Sequence, residues 1–219
     1  SDGVRWLADQ YLAQLPRNLR AKHGRFYTPG ALAGILAGQA LRLSGTDGPI
    51  VDPACGGGSL LAAVVDRIVS EREPGEAVRF VLENVRGTDL DPVAVSVCDL
   101  AVRTALLPAW AALPESSRPT LRPFAVVGDG LSDERTATLV IANPPFGRVS
   151  GGDRVRARHG RVLYVHAHWP TIFLHSAVSR LASGGVAAFV LPASFVGGMY
   201  FSRLRAFLIE TAPPAWLGF

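Results

Sequence analysis

The sequence predicts an α/β protein with a doubly wound, mostly parallel sheet and helices on both faces. Strand-like segments alternate with helix-like segments along the 219 residues. Several strands, such as LVIA at 139–142, are apolar throughout, as expected for strands covered on both faces. Three strands run directly into glycine or aspartate residues, and ligands of such sheets bind beyond the carboxyl ends of the strands.

The first half of the chain has apolar residues at helical spacing on either side of two short strands. We divide it into a helical segment at 1–45 and the start of a core domain that covers 46–219. The predicted helices lie at 4–15, 31–43, from 59 to about 68, and 92–106, and the predicted strands lie at 49–53 and 83–89.

The second half continues the same alternation. We predict strands at 121–127, 137–142 and 186–192, a polar loop at 147–161, and helices at 170–182 and 201–209. The residues SGG at 183–185 are expected to end the first of these helices. Residues 216–219 resemble the start of a further strand, so the core is expected to be truncated.

Composition excludes several classes of protein. The formal net charge is +4, and Lys22 is the only lysine; the arginine bias suits phosphate binding but also follows from a GC-rich genome. Cys55 and Cys98 are too few for a disulfide scaffold. His166 and His168 lack nearby acidic or cysteine partners, so we predict no structural metal. With no signal peptide or apolar run of spanning length, no membrane association is predicted and the cytoplasm is expected.

The stretch VDPACGGGSLL at 51–61 places a carboxylate and three glycines between a strand and a helix. Glycine lets the backbone approach a ligand closely, and a helix start offers free N–H groups. Leu61 stands where a dinucleotide site would have its third glycine, and a phosphate-binding Walker loop would need a lysine. The alternative to a ligand site is a plain strand-to-helix turn.

The next two strands also end in aspartate. Asp89 in GTDLDP is placed to accept hydrogen bonds from ribose hydroxyls. Asp91 and Pro92 are expected to be the N-cap and first residue of a helix. Asp129 in VVGDG could accept a hydrogen bond from an exocyclic amine, although Gly-Asp-Gly is also common in turns.

A rigid tetrapeptide, Asn143-Pro144-Pro145-Phe146, ends the strand at 137–142. Two prolines cannot donate to a sheet ladder, so the strand must stop there. A simple turn would not need this combination, and the residues suggest an amide held still beside an aromatic ring.

These motifs, DPACGGGSLL, GTDLDP, GDG and ANPPFG, occur in an order that resembles the S-adenosylmethionine-dependent methyltransferases acting on adenine N6 in DNA. The preceding GRFYTP at 24–29 is similar to the circular order of motifs in type I restriction-modification methylation subunits. The resemblance covers about residues 20–200. VLPASFV at 190–196 resembles the strand end beneath the base pocket, where Phe195 lies either under the base or in the core.

The resemblance implies a role for each matching residue. S-adenosylmethionine is the implied cofactor, and the tetrapeptide would bind a flipped adenine, with Asn143 and the Pro144 carbonyl on the target amine and Phe146 stacked on the base. The residues implied to hold the cofactor are Tyr27, Thr28, Asp52, Ala54, Gly56, Gly58, Asp89, Leu90 and Asp129.

The basic loop after the tetrapeptide is a candidate DNA contact. Its arginines Arg148, Arg154, Arg156 and Arg158 could grip phosphates, although solvated flexible loops have the same composition. The resemblance also implies a specificity or nuclease subunit or domain as a partner. It implies a protein of the prokaryotic cytoplasm. The alternatives are an enzyme that methylates RNA or a protein glutamine, and a cofactor-binding module without turnover.

Overall fold

The computed structural model describes residues 28–45, 47–149 and 153–218. The predicted helix at 4–15 and the candidate residue Tyr27 lie outside these residues.

A parallel five-stranded sheet organises the structure. Its strand order is β3-β2-β1-β4-β5, and every neighbouring pair is parallel. The strands are β1 (Ile50–Asp52), β2 (Val85–Asp89), β3 (Ala125–Val127), β4 (Ala137–Ala142) and β5 (Leu181–Phe189). The chain order reverses beside β1, so the carboxyl ends of β1 and β4 flank the switch point where such sheets bind ligands.

Helices cover both faces of the sheet, as predicted. The described helices are α1 (Gly30–Ser44), α2 (Ser59–Glu71), α3 (Pro74–Asn84), α4 (Pro92–Ala112), α5 (Asp153–His159), α6 (Trp169–Ser179), α7 (Ser194–Gly197) and α8 (Ser202–Thr211). Short 3-10 turns cover Glu115–Ser117, Gly160–Val162 and Met199–Phe201.

Alternate side chains of the central strands enter different hydrophobic clusters. Ile50, Leu139 and Ile141 belong to the large cluster that α1, α2, α3 and α4 complete, whereas Val51 and Val140 pack on the other face with α6. This two-residue period explains why β4 is apolar throughout and why Ile50 and Val51 of β1 are both apolar. Because α1 shares the large cluster, it packs as part of the same core, and the division at residue 45 stays a prediction.

Helix α4 corrects the expectation that the chain has no apolar run of spanning length. By length and composition alone it could cross a membrane. It packs on α2 and α3, however, and its Asp99 carboxylate accepts a 2.7 Å hydrogen bond from the Phe124 N–H while pairing with Arg103. We therefore describe α4 as a core helix of the domain.

Three predicted element boundaries were wrong. Residues 83 and 84 belong to α3, which the sequence analysis missed, and β2 begins at Val85. The segment SGG does not end a helix, because it lies inside β5, where Gly184 has a φ of 75° and the pairing with β4 shifts register. The basic segment at 147–161 is partly helical, since it contains α5.

Helix α4 and strand β3 differ from prediction only at their ends. Helix α4 extends six residues beyond the predicted end at Leu106, and β3 covers only the last three residues of the predicted strand at 121–127. Residues 216–218 form no strand.

Candidate active site

The end of β1 carries a buried carboxyl group. Asp52 is 2% exposed, and its Oδ1 accepts a 3.0 Å hydrogen bond from the Ala54 N–H. Burial is the main cause that raises the pKa of Asp52 to about 8; the Ala54 amide opposes the rise, the nearby Asp89 charge adds to it, and the Arg180 charge opposes it. The carboxyl group is therefore mostly protonated at neutral pH, and a bound cation would favour its ionised form.

The glycine turn after β1 is tied to the end of β2. The Gly56 N–H donates to Asp89 Oδ2 over 2.9 Å, and the Asp91 N–H donates to Asp89 Oδ1 over 3.0 Å. Each carboxylate oxygen can accept a second hydrogen bond, so Asp89 keeps capacity for ligand hydroxyls. Gly56 has a φ of 49° with open space where a side chain would project, and Leu90 beside Asp89 is 74% exposed.

Gly58 has a packing role. A Cβ there would lie 2.8 Å from the Cys98 Cα on α4, and its φ of 81° also favours glycine. Cys55 and Cys98 are both buried free thiols. A hydrogen bond between their side chains, followed by burial, raises the pKa of Cys55. Gly58 thus holds the turn against α4, whereas Gly56 borders the open side.

The turn after β3 closes over the turn after β1. A Cβ on Gly130 would lie 2.0 Å from the Pro53 carbonyl oxygen, so the two backbones are in direct contact. The exposed Asp129 accepts hydrogen bonds from the Leu131 N–H (3.0 Å) and the Ser132 hydroxyl (3.3 Å). Asp129 therefore shapes this turn, and its side chain stays accessible at the ligand edge.

A side-chain hydrogen bond links two distant motifs through Thr28 and Asn143. The Asn143 Nδ2 donates to the Thr28 Oγ1 over 3.0 Å, although the residues are 115 positions apart. Thr28 is 5% exposed and lies two residues before the start of α1, while Asn143 follows the last residue of β4. The predicted threonine of FYTP and the predicted asparagine of NPPF therefore meet at the edge of the sheet.

The rest of the tetrapeptide is held by the segment before α6. Pro144 is buried, and Pro145 and Phe146 are half-buried. The Gly147 carbonyl accepts a 3.1 Å hydrogen bond from the Trp169 N–H, and the Val149 N–H donates to the Ala167 carbonyl over 2.8 Å. These backbone contacts fix the direction in which the chain leaves the tetrapeptide.

A basic cavity of about 180 Å³ lies next to this exit. Arg148 and Arg156 contribute guanidinium groups to it, and Arg156 Nη2 donates to the Val165 carbonyl over 2.9 Å. Val165 has a φ of 57°, an unusual conformation for a β-branched residue. Neither arginine contacts a carboxylate within the part of the chain that the structure describes.

The remaining arginines of this segment behave differently. Arg158 pairs with Glu134 at 3.4 Å, and Arg161 pairs with Glu210 at 3.2 Å, so both guanidinium groups contact carboxylates from outside this segment. Arg154 is exposed. Of the four predicted DNA contacts, only Arg148 and Arg156 share the cavity.

The histidines pack against other side chains. His166 and His168 lie 6.0 and 5.4 Å from the Tyr200 ring, and burial, followed by the Arg148 charge, lowers the pKa of His168. His159 and His175 share a 3.0 Å hydrogen bond between their Nδ1 atoms, a pair without any sequence signal. Among the described residues, no group of three or more His, Cys, Asp or Glu side chains could hold a metal.

The structure also decides the place of Phe195. It is 8% exposed and lies 5.8 Å from the Phe201 ring in the cluster under α8. It therefore packs in the core.

Comparison with known proteins identifies the family. The family model described as N-6 DNA Methylase matches residues 7–211. The chain belongs to this family. A relative, the type II methyltransferase M.TthHB8I of Thermus thermophilus, is 28% identical over 198 residues, which cover 84% of this chain and 38% of that protein. This chain thus spans well under half of that relative's length.

Solved structures share the fold of this chain. A DrdV–DNA complex matches 95% of this chain and 24% of its own chain, with a TM-score of 0.73 and 17% identity. A protein of Listeria monocytogenes assigned to the class I S-adenosylmethionine-dependent methyltransferases matches 95% of this chain and 58% of its own, with a TM-score of 0.70 and 17% identity. Both confirm the predicted fold class.

Proposed function

We propose that this chain is the catalytic core of an enzyme that transfers a methyl group from S-adenosylmethionine to the N6 amine of adenine in DNA. The observation that carries the proposal is the hydrogen bond between Thr28 and Asn143, because it joins the two most specific motifs at the switch point of the sheet. Membership of the N-6 DNA methylase family supports the same reaction.

The residues at the ends of β1, β2 and β3 suit this cofactor. The buried Asp52 carboxyl group would pair with the cofactor's ammonium group, and binding would release the proton that Asp52 carries at neutral pH. Asp89 would accept from ribose hydroxyls, and the exposed Leu90 and Asp129 would border the adenine. When bound, the cofactor supplies an electrophilic sulfonium methyl group.

The tetrapeptide would activate the target amine. The lone pair of an adenine amine is delocalised into the ring, so the nitrogen is a poor nucleophile. Asn143 Oδ1 and the Pro144 carbonyl would each accept a hydrogen bond from one N–H group of this amine. These contacts would favour a pyramidal nitrogen with a localised lone pair. The two prolines keep these acceptors in place before the base arrives, which lowers the entropic part of the barrier.

DNA is the substrate we favour over RNA or a protein glutamine. Phe146 would stack on a flipped adenine and replace part of the stacking lost on leaving the duplex. The cavity lined by Arg148 and Arg156, next to the exit from the tetrapeptide, would hold backbone phosphate. We further propose a prokaryotic cytoplasmic setting and a restriction-modification role, with a specificity or nuclease subunit or domain as partner.

The test measures the methylated base directly. Cells that express the full-length gene product, or its Asn143→Ala variant, are compared with cells lacking the gene. Their DNA is digested to nucleosides, and N6-methyladenine is quantified by mass spectrometry. The purified chain is titrated with S-adenosylmethionine in parallel by calorimetry.

We expect N6-methyladenine with the wild-type protein only, and cofactor binding by both proteins. Cofactor binding without the modified base in DNA would refute the assignment and direct the same measurement to RNA and to protein glutamine. No modified substrate at all would favour a binding module without turnover. A mark that persists in Asn143→Ala would refute the role of the tetrapeptide.

A further inference from the structure

We infer that Thr28 is a positioning residue that anchors the Asn143 side-chain amide at the edge of the sheet, so that its Oδ1 is held toward the target amine. The inference rests on the proposed function and adds a role for Thr28 beyond contact with the cofactor. The two ends of a side-chain amide have nearly the same shape but opposite hydrogen-bonding character, since the oxygen accepts and the nitrogen donates. Only the oxygen can accept from an adenine amine.

The geometry assigns the nitrogen end of the amide. Nδ2 donates to Thr28 Oγ1 over 3.0 Å, and this contact restrains the amide with its Oδ1 end turned away from the hydroxyl. Thr28 is 5% exposed, so its hydroxyl is not readily replaced by bulk water. The chain continues from Thr28 into α1, whose first turn includes a 2.9 Å hydrogen bond from the Ala33 N–H to the Pro29 carbonyl.

Helix α1 makes this acceptor rigid. It packs against β4 and β5 and contributes five buried residues to the core. Since Asn143 directly follows β4, the donor and its acceptor are both carried by packed elements. Thr28 therefore provides a fixed acceptor for Nδ2 before any substrate binds, which is the kind of preorganisation that lowers a reaction barrier.

Removing the Thr28 hydroxyl should weaken the hold on the Asn143 amide in the orientation in which Oδ1 faces the target amine. Thr28→Val keeps the shape of the side chain but leaves Nδ2 without this acceptor whenever Oδ1 faces the target amine. One lost hydrogen bond of about 1.4 kcal/mol corresponds to about a tenfold change in an equilibrium or a rate. Thr28→Ser keeps the acceptor and should restore the wild-type behaviour.

The first experiment observes the amide without any reaction. The sequence contains only three asparagines, so the purified chain labelled with ¹⁵N-asparagine gives three side-chain amide signals. Asn143→Ala identifies the signal of Asn143. Asn84 is an internal control, because its Nδ2 donates to the Phe80 carbonyl over 3.0 Å inside α3.

We expect the Asn143 amide signal to move in Thr28→Val and its hydrogen exchange to accelerate about tenfold. In Thr28→Ser the signal should stay close to the wild-type position, and the Asn84 signal should be unchanged in both variants. An Asn143 signal and exchange rate identical in Thr28→Val and wild type would overturn the inference.

The second experiment measures single-turnover methylation by the full-length gene product at saturating cofactor. Thr28→Val should react about tenfold more slowly than wild type, and Thr28→Ser within about twofold. Thr104→Val is a matched control on α4, where the hydroxyl only donates to the Leu100 carbonyl. A cofactor titration of each variant separates lost binding from lost positioning.

Three outcomes are decisive in this second experiment. A slow Thr28→Val rate at saturating cofactor, restored in Thr28→Ser, supports positioning. A defect that disappears at saturating cofactor would overturn it, because Thr28 would then act only through cofactor binding. A wild-type protein that makes no N6-methyladenine refutes the proposed function and the catalytic consequence, while the amide signals still decide whether Thr28 orients Asn143.

Discussion

Replacing Asp52 with asparagine should stabilise the ligand-free chain at neutral pH. The folded state holds Asp52 with a pKa of about 8, well above its ordinary value of 3.8, because the carboxyl group is buried. Between these two values the folded state binds more protons than the unfolded state. The free energy of unfolding therefore falls as the pH rises from about 4 to about 8. Because asparagine does not titrate, Asp52→Asn removes this fall.

The expected size follows from the same linkage. Each pH unit in this window corresponds to about 1.4 kcal/mol, so the folded state, which keeps Asp52 protonated while the unfolded state ionises it, loses about 4 kcal/mol of stability by pH 7. Asparagine can still accept from the Ala54 N–H, but its own buried N–H groups cost about 1–3 kcal/mol without an acceptor. We expect a net gain of about 1–3 kcal/mol at pH 7 and little or no gain at pH 5.

Urea denaturation of both proteins between pH 5 and pH 8.5 measures this difference. The gain should grow by about 1.4 kcal/mol per pH unit up to about pH 8 and then level off. Asp47→Asn is the control, because the Asp47 side chain is fully exposed and its contact with Arg72 is long, at 3.6 Å. A stability difference between Asp52→Asn and wild type that does not change with pH would refute the argument.

Two further predictions concern a turn and the basic cavity. Gly130→Ala should destabilise the fold by about 2–4 kcal/mol, because its Cβ would overlap the Pro53 carbonyl. Gly128→Ala in the same turn is the control and should change the stability little. Thermal denaturation of both variants measures the difference. Arg148→Gln should make the slope of log K against log salt for duplex DNA less negative by about 0.9, and Arg79→Gln on α3 should not. Equal slopes for Arg148→Gln and wild type would argue against a phosphate contact there.

Much of the fold follows from periodicity in the sequence. The strand at 137–142 and the helix α1 were predicted to within one residue, since each is a dense apolar segment with clear punctuation on both sides. Helix α3 was missed because its polar start, REPGE, resembles a loop, although Pro74 is a typical first helical residue and Ala77, Val78 and Val81 form a buried face.

The errors around glycines have a shared cause. Glycine commonly ends helices, so SGG was taken as a stop, but in β5 it forms an irregularity where the register with β4 shifts. Local sequence does not distinguish these two uses, because only the neighbouring strand determines the register.

Within the site, strand ends were predictable but contacts were not. Parallel strands bring Asp52, Asp89 and Asn143 to one edge of the sheet, and the motifs identify them. The hydrogen bonds from Gly56 to Asp89 and from Asn143 to Thr28 join residues 33 and 115 positions apart, which no local pattern encodes.

The reversal of strand order beside β1 separates the proposed cofactor-binding residues from the proposed base-binding residues along the chain. The residues at the ends of β1, β2 and β3 all precede residue 131, and the tetrapeptide with its basic cavity begins only after β4. A cut within 131–136, between β3 and β4, would yield one fragment with the ends of β1, β2 and β3 and a second fragment with the tetrapeptide. Their reassembly along the β1–β4 ladder would be required to bring Thr28 back to Asn143, so the fold offers a natural point for fragment complementation.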